Sequence, residues 1–240
     1  MKKLILLLFI PLVFACSEGW EKAKNFMTKP SGIDIEEGLN IAKEGLQKYH
    51  SGDYIGAIFS YNEALKFLPK TCLDNYKKEC ITPLFGTYSN IAMAYSAIAR
   101  DTTLDAVEKD INLSLAVKSY DDAISVLKLN SSGIAINEDE RVMLASMLKL
   151  RGDIKMKKQR HFENESTAPQ DYTQGINNIQ QILKDNNYSI DKINEYKKLL
   201  GDMYFKRGSF NLRNQKVWYG QNGDSYLDDI CEDFKTAAQL

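Results

Sequence analysis

The feature that most constrains the fold of this chain is an internal repeat of a nine-residue segment. The segment AIFSYNEAL begins at Ala57, and related segments begin at Ala116, Gly175 and Ile230, at intervals of 59, 59 and 55 residues. Each copy carries a larger apolar residue four places after its first residue and an apolar pair seven places after it. Because these spacings share one face of an α-helix, the repeat predicts four amphipathic helices that pack side by side.

A fainter repeat precedes each of these helices and predicts a partner for it. SNIAMAYSAIA begins at Ser89, whereas LRGDIKMK from Leu150 and LLGDMYFK from Leu199 align with each other through Gly152 and Gly201. Glycine lets two helices approach closely. We therefore predict four helix pairs, whose second helices lie near 54–69, 113–129, 172–185 and 226–240. The additional residues at 101–112, 160–171 and 209–225 are predicted to lengthen helices in part and to form loops such as HFENESTAPQ and GQNGDS.

Residues 42–69 carry the most specific pattern in the chain. Gly45 and Tyr49 lie on the first predicted helix, Gly52-Asp53-Tyr54 marks a turn, and the second helix carries Ala57, Tyr61 and Ala64 before Pro69, which is predicted to end it. This stretch resembles one tetratricopeptide (TPR) repeat. The resemblance implies an all-α fold of antiparallel helix pairs stacked as an α-solenoid. The family's repeat has about 34 residues, so the longer intervals here imply insertions within and between pairs.

The resemblance and the internal repeat together give a set of predicted repeat-packing residues. They are small or apolar positions at which the two helices of a pair, or neighbouring pairs, come into contact. The set is Gly45, Tyr49, Ala57, Tyr61, Ala64, Ala92, Ala116, Tyr120, Ala123, Gly152, Gly175, Gly201 and Phe234.

The N-terminus has the pattern of a secretory signal. Residues 1–15, MKKLILLLFIPLVFA, combine a charged start, a short apolar run and a small residue at the exit. The apolar run from Leu4 to Ala15 is shorter than the roughly 20 residues that a membrane-spanning helix needs. We interpret this segment as an export signal that is removed.

Val13-Phe14-Ala15-Cys16 resembles a bacterial lipobox. The resemblance implies cleavage before Cys16 and acylation of that cysteine, with palmitate among the expected chains. Two or three acyl chains would hold the protein on a membrane, because one chain alone binds only marginally. Ser17 in place of aspartate favours the outer membrane. Residues 16–35 are then a lipidated tether, and residues 36–240 are the helical repeat domain.

Composition excludes some functions and leaves the partner open. The formal net charge is -1, and without residues 1–15 the chain has 29 basic against 32 acidic groups, so there is no electrostatic argument for nucleic acid. No phosphate loop, nucleophile elbow or zinc-protease motif occurs. His50 and His161 lie in polar surroundings, so neither predicts a catalytic or metal site. We expect no enzyme activity, no cofactor and no metal.

The cysteines after Cys16 suggest different roles. Cys72 and Cys80 bracket LDNYKKE and could close a small disulfide loop in an oxidising compartment, although free thiols on separate helix faces fit the spacing equally well. Cys231 takes the place of an aliphatic residue in the fourth copy of the repeat, and is predicted to be buried.

Our first functional hypothesis is a membrane-tethered adaptor that binds a protein segment on the concave face of its first helices. Candidate lining residues are Asn40, Lys43, Asn90, Met93 and Tyr204. A narrower alternative is an accessory lipoprotein of an outer-membrane assembly, of the barrel-insertion or pilus-secretin type. A third is a glycan-binding surface lipoprotein, in which Trp218 and Tyr219 stack on sugar rings. The basic run KMKKQR at 155–160 is interpreted as a solvated helix end balanced by acids rather than a binding strip.

Overall fold

The computed structural model describes residues 33–75, 81–130, 138–158, 167–184, 188–218 and 223–240. Within these ranges the protein is built of helices, and no β-strand occurs among them. The helices are α1 Ile33–Ser51, α2 Tyr54–Asn75, α3 Ile81–Ile98, α4 Ala106–Asn130, α5 Glu138–Lys158, α6 Ala168–Lys184, α7 Ile190–Trp218 and α8 Gly223–Gln239. The predicted all-α class is confirmed.

Consecutive helices pack as four hairpins, α1/α2, α3/α4, α5/α6 and α7/α8, within which the contacts are most extensive. Each hairpin also packs on the next through α2 and α3, α4 and α5, and α6 and α7. The predicted arrangement of adjacent helix pairs is therefore observed. Its interactions are almost all between helices that are neighbours in sequence, as in a helical array.

The turn between α1 and α2 shows how the sequence sets the first hairpin. Gly52 has φ 87°, the left-handed conformation that ends helices, and the backbone N–H groups of Gly52 and Asp53 donate to the carbonyls of Tyr49 and Lys48. The Asp53 carboxylate then accepts a hydrogen bond from the Gly56 N–H at 2.9 Å and caps α2. Residues predicted to form a turn thus supply both helix caps.

The small residues of the nine-residue repeat are buried. Ala57, Ala116, Gly175 and Ile230, the first residues of the four copies, all lie in the interior. Three hydrophobic clusters follow one another along the chain, the first around α1 and α2, the second around α3, α4 and α5, and the third around α5, α6 and α7. Since α5 contributes to two of them, the core is continuous from one hairpin to the next.

Three glycines show how the two helices of a hairpin are aligned. We call this alignment, in which a glycine of the first helix faces a ring of the second, the structural register. A Cβ atom on Gly45 would lie 2.8 Å from the Tyr61 ring, and one on Gly152 would lie 2.9 Å from the Tyr172 ring. One on Gly208 would lie 3.5 Å from the Phe234 ring. In the first, third and fourth hairpins a glycine of the first helix therefore accommodates an aromatic ring of the second, which brings the two helix axes close together.

This register differs by seven residues from the one predicted for the third and fourth hairpins. The sequence alignment matched Gly201 with Gly152 and began the third copy at Gly175, whereas Gly208 and Ala168 take the equivalent structural positions. Gly201 instead lies near the end of α8, and Gly175 faces the sulfur of Met203 on α7. Seven residues are nearly two helical turns, so a shift of this size keeps the same apolar face and is hard to detect from sequence.

Several helix bounds also differ from the predictions. α2 continues past Pro69 to Asn75, because its packing on both α1 and α3 outweighs the backbone hydrogen bond that proline removes. α6 begins at Ala168 inside the predicted loop HFENESTAPQ, and α8 begins at Gly223 inside the predicted loop GQNGDS. The extension of α7 through 209–218 agrees with the prediction that the insertions lengthen helices in part. α1 begins at Ile33, three residues before the predicted start of the domain.

Some predictions concern residues outside the described part of the chain. The signal peptide at 1–15, most of the tether at 16–35, Cys16, Cys80 and His161 lie there. Cys72 lies in α2, but its side chain is not described, so the predicted disulfide stays a prediction. Cys231, predicted to be buried, is exposed. It lies on a face of α8 against which no described helix packs.

Candidate functional site

The face formed by the first helices of the hairpins is the candidate functional site. α1 contacts α3, and α5 contacts α7, so first helices of neighbouring hairpins touch directly. The middle of the array is connected in the same way, because the Ser89 hydroxyl on α3 lies 3.2 Å from the sulfur of Met147 on α5. A surface built from successive first helices is the one that helical repeat arrays commonly use for binding.

Four charged side chains join α5 and α7 on this face. Lys149 Nζ lies 2.8 Å from Asp202 Oδ2, and Lys206 Nζ lies 2.7 Å from Asp153 Oδ2. Within each helix, Lys149 also approaches Asp153 at 3.4 Å and Lys206 approaches Asp202 at 3.3 Å. The Tyr172 hydroxyl, on α6, donates to Asp153 Oδ1 at 2.8 Å. The four charges sum to zero, so this part of the face holds helices together rather than attracting a charged ligand.

The pKa shifts in this cluster follow from its geometry. Burial lowers the pKa of Lys149, but the carboxylates of Asp153 and Asp202 more than reverse this, and the pKa lies above its ordinary value. Burial raises the pKa of Asp202, but the charges and hydrogen bonds of Lys149 and Lys206 lower it by more. The pKa of Asp202 therefore lies below its usual range. Burial, followed by the charge of Asp153, raises the pKa of Tyr172. Each shift favours the form that makes the observed contacts.

A second set of ion pairs repeats from the third hairpin to the fourth. Arg151 Nε and Nη2 donate to the two carboxylate oxygens of Asp171 at 3.0 and 2.6 Å. Arg207 binds Asp233 in the same way, with the same two distances. Both arginines directly precede the glycine that accommodates the ring, and both aspartates directly precede the ring. The pairs therefore repeat the structural register defined by the glycines.

Each arginine also reaches back to the preceding hairpin. Arg151 pairs with Asp121 on α4, and Arg207 Nη1 donates to the Thr173 hydroxyl on α6 at 2.9 Å. In the first hairpin, Lys48 Nζ donates instead to the Ser60 hydroxyl at 2.8 Å. Lys48 lies three positions after Gly45, and Lys155 lies three positions after Gly152. Lys155 Nζ is 2.9 Å from Asp171 Oδ2. The two arginines thus hold the third and fourth hairpins against the hairpin that precedes each of them. Their role is therefore structural.

The predicted partner-binding residues do not all share one face. Asn40 and Lys43 are exposed on α1, and Asn90 and Met93 are half-buried on α3, the helix that α1 contacts. Tyr204 lies elsewhere, because its hydroxyl accepts a hydrogen bond from Gln180 Nε2 of α6 at 2.8 Å and its ring lies under the Arg207 guanidinium. On a helix it is rotated by more than half a turn from Asp202, so it faces α6 rather than the first-helix face.

Other candidate residues are placed as follows. Lys155 and Lys158 of the basic run at 155–160 are paired with acids of neighbouring helices, in agreement with a balanced helix end rather than a binding strip. His50 is exposed at the end of α1. Trp218 is the last residue of α7, its side chain is outside the described set, and Tyr219 lies outside the described residues.

Sequence reasoning missed the ion pairs between helices. Arg151 is two residues from Asp153 in sequence, yet its partners lie on α4 and α6. The signal that could have revealed them is the dipeptide pair: an arginine before a glycine in the first helix, and an aspartate before an aromatic residue in the second. Applied to Arg207-Gly208 and Asp233-Phe234, this rule would have given the structural register as well.

The fold and the face together define an all-α protein of sequentially packed helix hairpins. Comparison with protein-family models, with curated proteins and with solved structures gave no match in any of the three. Among the described helices, none combines the length and apolarity required to cross a bilayer. Within the same residues no group of histidine, cysteine and acidic side chains is arranged to hold a metal ion.

Proposed function

We propose that this protein is a lipid-anchored adaptor of the cell envelope, built as a TPR-like α-solenoid, that binds a segment of a partner protein on the first-helix face. The observation that carries the proposal is the repeated hairpin unit. The same glycine-to-ring contact occurs in three hairpins, and the bidentate arginine–aspartate pair occurs in two. Repeats of this kind bury their flanks against one another and leave one face of their helices open to a ligand.

The open part of this face is at the first two hairpins. Lys149, Asp153, Asp202 and Lys206 satisfy one another at the other end, which leaves them unsuited to recruiting a partner. On α1, by contrast, Asn40 and Lys43 are exposed, and the half-buried Asn90 and Met93 lie on the adjacent α3. An amide, an ammonium group and a thioether suit a peptide that offers backbone carbonyls, a carboxylate and an apolar side chain.

Site-specific photocrosslinking in intact cells tests this function. A photoreactive amino acid at Lys43 is expected to capture a specific protein, because in this proposal the exposed side chain belongs to the binding face. The matched control is the same amino acid at Phe59, which is exposed on α2, a second helix. Capture of the same proteins at both positions, or of none at Lys43, would contradict the adaptor. The identity of a captured protein decides whether the partner belongs to an outer-membrane assembly.

The proposed attachment of the protein to a membrane is tested by a separate experiment. The Cys16→Ala variant is expected to lose its acyl mass and to move from the membrane to the soluble fraction, because acyl chains supply the membrane affinity in this proposal. Mass spectrometry and cell fractionation measure the two effects, with Cys231→Ala as the control that keeps Cys16. A wild-type protein recovered without acyl mass on Cys16 would reject the lipid anchor while leaving the binding face untouched.

A further inference from the structure

An apolar groove lies between the last two helices. We call it the end groove and define it by Phe205 and Leu212 of α7 with Leu227, Cys231 and Phe234 of α8. Phe205 is 55% and Leu212 47% exposed, and Leu227 and Cys231 are exposed as well. The rings of Phe205 and Phe234 meet edge to face, with centroids 5.6 Å apart, so the two helix faces form one surface. Spacings of seven along α7, and of four and three along α8, align these side chains into two parallel stripes.

The molecule itself shows what fits such a groove. The corresponding surface of the first hairpin is covered by α3, which contacts both α1 and α2. The corresponding surface of the third hairpin is covered by α7, which contacts both α5 and α6. In the part of the chain that the structure describes, no helix covers the groove of the fourth hairpin. By this internal comparison, the end groove is a surface of the kind that packs against a further helix elsewhere in the molecule.

The opposite end of the array differs in chemistry. The exposed side chains of α1 include those of Glu36, Glu37, Asn40, Glu44 and Gln47, all of them polar. Head-to-tail stacking would set this polar helix face against the apolar end groove and leave buried polar groups without hydrogen-bond partners, which is costly. The α1 face of a second molecule is therefore a poor occupant of the groove.

The charges of the two groove walls favour a different occupant. Asp202, Lys206, Arg207 and Asp233 are paired within the molecule and are left out of this comparison. Without them α7 carries five basic and two acidic residues, a net charge of +3, and α8 carries four acidic residues and one basic residue, a net charge of -3. A two-fold axis that runs along the groove, parallel to the helices, would place α7 of one molecule against α8 of the other. The apolar stripes would then meet each other, and each positive helix would face a negative one. Isologous contacts require this kind of self-complementary surface.

We propose that the end groove is the contact surface of a two-fold symmetric homodimer, in which the α7/α8 hairpins of two copies pack against each other. The dimer would leave the open part of each first-helix face free, since α1 and α3 belong to the first two hairpins and the end groove to the last. This proposal does not depend on the proposed adaptor function.

Sedimentation of the full chain over a wide range of protein concentration, in reducing buffer with a mild non-ionic detergent, tests the dimer. The wild type is expected to dimerise reversibly. Phe205→Glu is expected to weaken dimerisation about tenfold or more, because it places a charge in the centre of the apolar contact. Phe59→Glu is the matched control, since Phe59 is even more exposed, at 65%, but lies on α2, far along the chain from the groove. Circular dichroism checks that both variants keep their helix content.

The remaining outcomes each decide the proposal. Raising the salt concentration is expected to weaken the dimer, because the contact apposes charged helices. A wild-type chain that stays monomeric, or a dimer that Phe205→Glu leaves unchanged, would overturn the proposal. So would an open series of larger oligomers that is disrupted by Lys43→Glu on α1, since that result indicates head-to-tail stacking. A dimer that is indifferent to salt would reject the pairing of α7 with α8.

Discussion

Replacing Asp171 by asparagine is expected to lower the free energy of unfolding by about 3 kcal/mol, because it removes the buried carboxylate that two partly buried cations share and leaves Arg151 with Asp121 alone. The Asp171 side chain is 3% exposed and lies within 2.9 Å of both Arg151 and Lys155. Burial lowers the pKa of Arg151, but hydrogen bonds to Asp171 more than reverse this, so the pKa is raised. Arginine keeps its charge even without this partner, so the substitution cannot be relieved by loss of a proton.

Urea denaturation followed by circular dichroism measures this effect. Glu44→Gln on α1 is the matched control, because it also converts an acid to its amide but at an exposed position. A change within about 0.5 kcal/mol is expected there. Equal small losses in the two variants would mean that Arg151 and Lys155 find other acceptors, and the bidentate pair would then not be the element that holds α5 and α6 together.

Substituting alanine for Gly152 and for Gly86 is expected to have opposite effects on stability. Both glycines lie inside helices, so each substitution gains about 1 kcal/mol of helix propensity. At Gly86 the new methyl group meets no atom within 4 Å, and the variant is expected to be more stable than the wild type. At Gly152 the methyl group would lie 2.9 Å from the ring of Tyr172, which is fully buried.

The ring of Tyr172 cannot withdraw from such a methyl group easily. Its hydroxyl donates to Asp153 at 2.8 Å and would lose this hydrogen bond if the ring moved. Gly152→Ala is therefore expected to be about 1–3 kcal/mol less stable than Gly86→Ala, the cost of overpacking a core. Thermal or urea unfolding of the two variants provides the comparison. If both variants were stabilised equally, α5 and α6 would not be in close contact at this glycine.

Much of the architecture could be predicted from sequence, because it follows from short-range patterns. The turn at Gly52-Asp53 needs a left-handed residue followed by a helix cap, and both residues fit their roles. The apolar spacing around Ala57 and Ala116 places both in the core without knowledge of any partner. Helix type and the inward face of each helix are local properties, so one sequence is enough to infer them.

The pairing of residues between helices could not be predicted in the same way. Matching Gly152 with Gly201 rather than Gly208 preserves the inward face, because the shift of seven residues is close to two turns. The choice between them is decided by Asp233 and Phe234 on a different helix. Cys231 was misplaced for a related reason, since the burial of a helix face depends on which other helix covers it.

The pairing of helices only with their near neighbours in sequence has a consequence for how this chain acquires its structure. Contacts that span few residues close small loops, so they form quickly and at low entropic cost. A chain that emerges from a ribosome or a membrane pore with its N-terminus first can complete α1/α2 once Asn75 is clear. Each later hairpin can then fold against the hairpin that precedes it. The first three hairpins can therefore fold before the C-terminal residues have emerged.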